Sequence, residues 1–310
     1  MTFSLGQLLG YIVAYLSLLF GVGYFAERSR RADKLLNHPL VYVLSLGVLM
    51  GTFAIYAVME LAFLYGYSFL LYYTGVLVMF LLSPLLLYPV LRICRIYQLG
   101  SMADLLSFRF RSRTVGAVIT LVMLTAMLPL FTLQIQAVSE SIHLLAGDAE
   151  TLLPGIDRHD GLALLFCATI ALFTVLFGTR RVSAQERNNG LVAAIAFESL
   201  LKLLAMLALG AAALFLVFDG FGGLERWLLD NPHILELLDS PLRGDSARTL
   251  LLLFFAGAVV MPHVFHMTFA EHAGAGALRQ ASWGFPLYLL LLSLPVLPIA
   301  WSTLQLGSDI

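Results

Sequence analysis

Charge is what this chain has least of. Asp, Glu, Lys and Arg together make up 12% of its 310 residues, about half the share of a soluble domain. The net charge of −1 leaves no basic surface for nucleic acid and no strongly acidic one. Cysteine is nearly absent: Cys94 lies near a basic loop and Cys167 within an apolar run. With no CxxC and no His/Cys cluster, the sequence argues against a zinc site and a disulfide framework. It also lacks a nucleophile paired with a base, a Gly-rich phosphate loop and a catalytic acid pair, so it carries no signal of an enzyme. The first 25 residues are apolar without a basic leader and too long for a signal-peptide core, which makes them a retained helix.

Hydrophobic residues, in contrast, fill 60% of the chain. They fall into eight runs, at about 4–25, 40–64, 68–91, 114–143, 161–178, 190–218, 248–269 and 283–303, most near the length that crosses a bilayer. The expected fold class is an all-α polytopic membrane protein of about eight transmembrane helices, with the lipid bilayer as its first partner. Basic residues set the orientation. The loops after the first, third, fifth and seventh runs carry Arg28, Arg30, Arg31, Lys34, Arg92, Arg95, Arg109, Arg111, Arg113, Arg180, Arg181, Arg187 and Arg279; the opposite side has only Arg158, Arg226, Arg243 and Arg248. The positive-inside rule then places the amino terminus outside a plasma (inner) membrane and the first loop in the cytoplasm.

Two connections read as short amphipathic helices, Gln98–Phe110 and, with a break at Asn231–Pro232, Leu224–Leu238; each is either an interfacial helix or, as the pattern alone favours, an ordinary loop helix covering the bundle.

The seventh run, LLLLFFAGAVVMPHVFHMTF from Leu250, is interrupted. Pro262 cannot donate to the helix ladder, and Gly257 loosens the turn before it. Freed backbone groups are tolerated in lipid only where they face protein, water or a ligand, so an interrupted span points to a binding site. His263 and His266 follow at a spacing that shares one helix face. They can contact substrate, shuttle protons or satisfy loosened carbonyls, and no nearby carboxylate or cysteine completes a metal site. The second run has a small centre of Gly47, Gly51 and Thr52, with Ser45 and Tyr56 nearby. Its glycines either unwind the helix or let neighbours pack closely. The two runs lie five apart, the offset of two five-helix inverted repeats that each open on a broken helix.

Elsewhere, Glu198 and Lys202 form an i,i+4 pair inside the sixth run, either a functional ion pair or a self-neutralising brace. Pro129 precedes Gln134, Gln136, Ser139 and Glu140, of which Gln134 is a candidate substrate contact. Glu271 and His272 are expected to be solvated loop residues.

YQLGSMADLLSFRFRSRTVG (97–116), FGTRRVSAQERNNGLVAAIAFESLLKLLAML (177–207) and MPHVFHMTF (261–269) resemble elements of the solute:sodium symporter family. HPLVYVLSLGV (38–48), residues 86–112, LPLFTLQIQAVSESI (128–142) and FPLYLLLLSLPVLPIAW (285–301) are most similar to the symporter-like input domain of CbrA-type sensor histidine kinases. The resemblance implies a partial LeuT-type inverted-repeat fold for residues 1–310: an extra helix at 4–25, a first repeat at about 40–218 and the start of a second at about 248–303. It implies a solute site at Gly51, Thr52, Tyr56, Gln134, Gly257, Pro262, His263 and His266. Sodium as coupling ion would be held by backbone carbonyls around Ser45, Gly47 and Leu49. The chain departs from the family's pattern at Ala103–Asp104, where the family has Pro-Glu, and at Met261, where it has Gln, which leaves sodium coupling open. The expected function is a nutrient-sensing input module, in a longer protein whose kinase domains would act on a response regulator. The alternative is part of a free-standing cation-coupled transporter of a small nutrient such as an amino acid.

Overall fold

The computed structural model describes residues 4–28, 36, 38–146, 158–173, 175, 188–238, 242, 244–271 and 275–308, and every regular element among them is helical. Helix α1 (Leu5–Arg28) is followed by α2 (Pro39–Ser45), which Pro39 opens at a position that needs no backbone donor and His38 caps by accepting from the Leu40 amide. A 3₁₀ turn, Leu46–Leu49, extends α2. The chain then leaves helical geometry at Met50 (φ −84°, ψ 63°) and Gly51 (φ −74°, ψ 177°), and α3 (Thr52–Tyr65) begins. The second apolar run is therefore a broken helix.

A turn at Gly66, where φ is +50°, leads through Gly66–Phe69 into α4 (Leu70–Leu81). Only glycine takes that conformation without strain. The helix α5 (Ser83–Tyr97) continues it after a kink at Leu82, where the Ser83 hydroxyl donates to the Phe80 carbonyl and Pro84 removes a donor. The first amphipathic segment forms α6 (Met102–Phe110), capped by the Ser101 hydroxyl accepting from the Asp104 amide at 3.1 Å. Next come α7 (Arg113–Ala146), continuous through Pro129, and α8 (Arg158–Phe173). Helix α9 (Asn189–Ala212) runs on through a π-turn at Ala213–Val217. The second amphipathic segment forms α10 (Phe221–Asp230) and α11 (Pro232–Leu238), divided at Asn231.

Helix α12 (Gly244–Val260) stops at Met261, and α13 (Pro262–Phe265) with its π-turn His266–Ala270 leaves at an angle of 52°. The chain continues in α14 (Ala275–Ser293) and α15 (Val296–Ser308).

Among the described residues, five helical stretches are long and apolar enough to cross a bilayer: Gly6–Arg28, Ala54–Leu81, Arg113–Leu145, Asn189–Val217 and Gly276–Gly307. The bent pair α12–α13 makes a sixth. The chain is thus an all-helical, multi-pass membrane protein. Not every one of the eight apolar runs is a single unbroken helix among the described residues, for local reasons. The break at Met50–Gly51 leaves Pro39–Leu49 short, the Leu82 kink divides 68–91, and α8 has 16 described residues.

Contacts sort the connections into two ends. At one, Glu27 lies against Gly190, Asn188 donates its amide to Glu271 at 2.8 Å, and His266 Nδ1 is 3.3 Å from the Gly100 carbonyl. At the other, Tyr56 bonds Ser141, the Leu242 amide donates to Ser68 at 3.3 Å, and Gly66 packs on Leu238. The core between them centres on the buried side chains of Tyr42, Leu46, Phe80, Phe265, Phe285 and Leu289. Through these, α2, α4, the α13 segment and α14 pack as one body. Most apolar side chains of α7 are exposed or half-buried, and Ile142 is buried.

Candidate functional site

The two breaks face one cavity of about 570 Å³. The first contributes Val48, Leu49 and Gly51, and the second Gly257, Met261, Pro262 and His263. Helix α7 closes a third side with Met127, Phe131 and Gln134, while Tyr72, Val76 and Phe254 form the apolar wall. Its size falls within the roughly 300–1,000 Å³ of small-molecule sites, and a mostly apolar lining with a few polar groups is their usual character. Gln134, His263 and the backbone at the two breaks are the polar elements.

Of the expected solute contacts, Gly51, Gln134, Gly257, Pro262 and His263 meet at this cavity. Gly51 lies beside Gln134: a methyl group placed on it would sit 3.6 Å from Gln134 Oε1, an ordinary contact. Thr52 opens α3 without lining the cavity. Tyr56 sits further along α3, half exposed, bonded to Ser141 of α7.

His266 also lies elsewhere. Its Nε2 is 3.3 Å from Glu271 Oε1 and its Nδ1 faces the Gly100 carbonyl, so it joins the end of the α13 segment to the loop before α6. Glu271 corrects the sequence reading. It is only 5% exposed, held by the Asn188 amide and His266 rather than by water. His272 lies outside the described residues.

The three residues expected to offer carbonyls to sodium have separate surroundings. Ser45 is fully buried, its hydroxyl donating to the Tyr42 carbonyl at 2.9 Å. Gly47 is pressed against Ser199 of α9, with Tyr288 of α14 just behind, and its carbonyl accepts from the Met50 amide at 2.9 Å. At this position glycine serves close packing. Leu49 lines the cavity.

A residue pair the sequence does not connect stands at the first break. The carbonyl of Met50 precedes the cap of α3, so it lies outside that helix's ladder. Lys202 Nζ of α9 donates to it at 2.9 Å and is 2.8 Å from Glu198 Oε1. The i,i+4 pair is present, and its ammonium has a second partner from a distant part of the chain. Among the described residues, no group of three His, Cys, Asp or Glu side chains is placed to hold a metal ion. Compared with family models, with curated proteins and with solved structures, the chain matches none.

Proposed function

We propose that this chain is a membrane solute-binding domain of the solute:sodium symporter type, and that it takes a small, largely apolar nutrient such as an amino acid into the cavity between its two broken helices. The observation that carries this reading is the meeting of both breaks at one cavity, although they lie some 210 residues apart in sequence. Unwound backbone inside a membrane protein needs a partner, and at paired breaks a solute supplies it. The start of α3, with Gly51 and Ala54 on the cavity wall, turns a positive helix end toward a carboxylate.

The finer topology belongs to the same proposal: eight crossings, the arginine-rich end in the cytoplasm, the amino terminus outside and a LeuT-type arrangement in which residues 40–218 form the first repeat. The sorting of alternate connections to opposite ends supports it, as successive crossings in alternating directions require. The resemblance to sensor-kinase input domains favours signalling as the use of the bound solute, with a response regulator downstream.

The test is a solute screen on purified protein in lipid nanodiscs. The panel is the proteinogenic amino acids and small carboxylates, read by thermal midpoint and then by equilibrium binding. Stabilisation by one class, weakened in Pro262→Ala and His263→Ala, supports the proposal. A binding solute whose affinity is unchanged in both variants contradicts it.

A further inference from the structure

We infer that Lys202 is the resident cation of the first break: its ammonium, carried on α9, takes the place at the Met50 carbonyl that a free monovalent ion would otherwise occupy, so the break forms without sodium. Three observations converge on it.

The first is the contact itself. Unwound carbonyls of a broken membrane helix are the groups that hold coupling cations. Met50 is the last residue before the cap of α3, and its carbonyl receives the Lys202 ammonium at 2.9 Å.

The second is charge. Glu198 Oε1, 2.8 Å from the same nitrogen, completes a neutral group. An ionisable side chain within a span is costly unless it is paired, and Lys202 satisfies both partners with two of its three donors.

The third is space. The void lined by Lys202, Met50, Ala54, Met206 and Leu292 has a volume of about 10 Å³. That is room for no more than one water. A hydrated ion cannot share the position with the ammonium.

The neighbouring turn fits this assignment. Ser199, one turn earlier on the same face of α9, is 1% exposed and packs on Gly47. That contact fixes the register that brings Lys202 to Met50. The inference deepens the proposed solute site, since it makes solute binding there independent of sodium. Its test uses sodium alone, so it fails or stands apart from the solute screen.

The full chain in nanodiscs is unfolded thermally in increasing NaCl and, at matched ionic strength, in choline chloride. The unmodified protein is expected to show the same midpoint in both salts. Lys202→Ala leaves Glu198 and the Met50 carbonyl facing a void. It is expected to melt at least about 1.5 °C lower in choline chloride, the shift of roughly 1 kcal/mol in a chain of this length, and to recover saturably with sodium. The double variant Glu198→Gln/Lys202→Met removes the ion pair as a unit. It is expected to remain destabilised, because the Met50 carbonyl still lacks its cation. A saturable sodium-specific rise in the unmodified protein overturns the inference, as does Lys202→Ala that ignores sodium. Full recovery of stability in the double variant overturns it too, by reducing Lys202 to a brace for Glu198.

Discussion

Tyr42 Oη donates to the carbonyl of Thr268 at 2.8 Å, joining the first half of one broken helix to the second half of the other across 226 residues of sequence. Both residues are fully buried. The bond ties α2 to the π-turn that follows Pro262, so the two breaks hold a fixed relation on either side of the cavity. Tyr42→Phe keeps the ring in the core and removes the donor. We expect a loss of about 1–2 kcal/mol, the usual consequence of a lost buried hydrogen bond, measured as a lower thermal midpoint in nanodiscs.

Gly47 and Gly51 lie one turn apart and predict opposite behaviour. A methyl group on Gly47 would collide with Ser199 and approach Tyr288 Oη to 3.1 Å, whereas one on Gly51 meets nothing nearer than 3.6 Å. Gly47→Ala should destabilise by about 1–3 kcal/mol through overpacking. Gly51→Ala should keep its stability and narrow the cavity beside Gln134, weakening solute binding. Parallel melting and binding measurements on the two variants separate the roles.

Glu271 anchors the arginine-rich end. Its carboxylate accepts from the Asn188 amide at 2.8 Å and faces His266, bringing the end of the α13 segment to the start of α9. Glu271→Ala removes a charged acceptor of that amide. We expect a loss of about 2 kcal/mol, in the range for hydrogen bonds to charged groups. Glu271→Gln, which retains an acceptor, should lose less. A cysteine placed at Asn188 should label faster with a membrane-impermeant maleimide in the Ala variant than in the protein with Glu271 intact.

What was legible beforehand follows from which effects are local. Pro262 removes a ladder donor next to Gly257 and two histidines, so an interruption there can be read from the sequence, although Pro129 sits inside a continuous α7; Ser101 capping α6 is equally local. Glycine is ambiguous. Gly47 and Gly51 read alike until the neighbours are known, and only the position of Ser199 shows that one packs while the other marks the break. Lys202 was visible as a partner of Glu198, but Met50, 152 residues away, was not. Glu271 looked solvated because it follows an apolar run, and its burying partner is a backbone amide, which no side-chain pattern reveals. Nothing in the sequence singles out Tyr72, Val76 and Phe254, because an apolar cavity wall and a packed core share one composition.

The central claim is that the cavity between the two breaks is where solute binds, and Gly257 offers the most direct test. It lies on the cavity wall, and the nearest atom to a methyl group placed there is Met261 Cε at 3.8 Å, so a large side chain would project into the space. We would measure thermal stabilisation of the unmodified protein and of Gly257→Trp by the amino-acid and carboxylate panel. The account predicts that the variant melts close to the unmodified protein in the absence of solute and loses the solute response. A Gly257→Trp protein that responds to the same solute with unchanged affinity would contradict it.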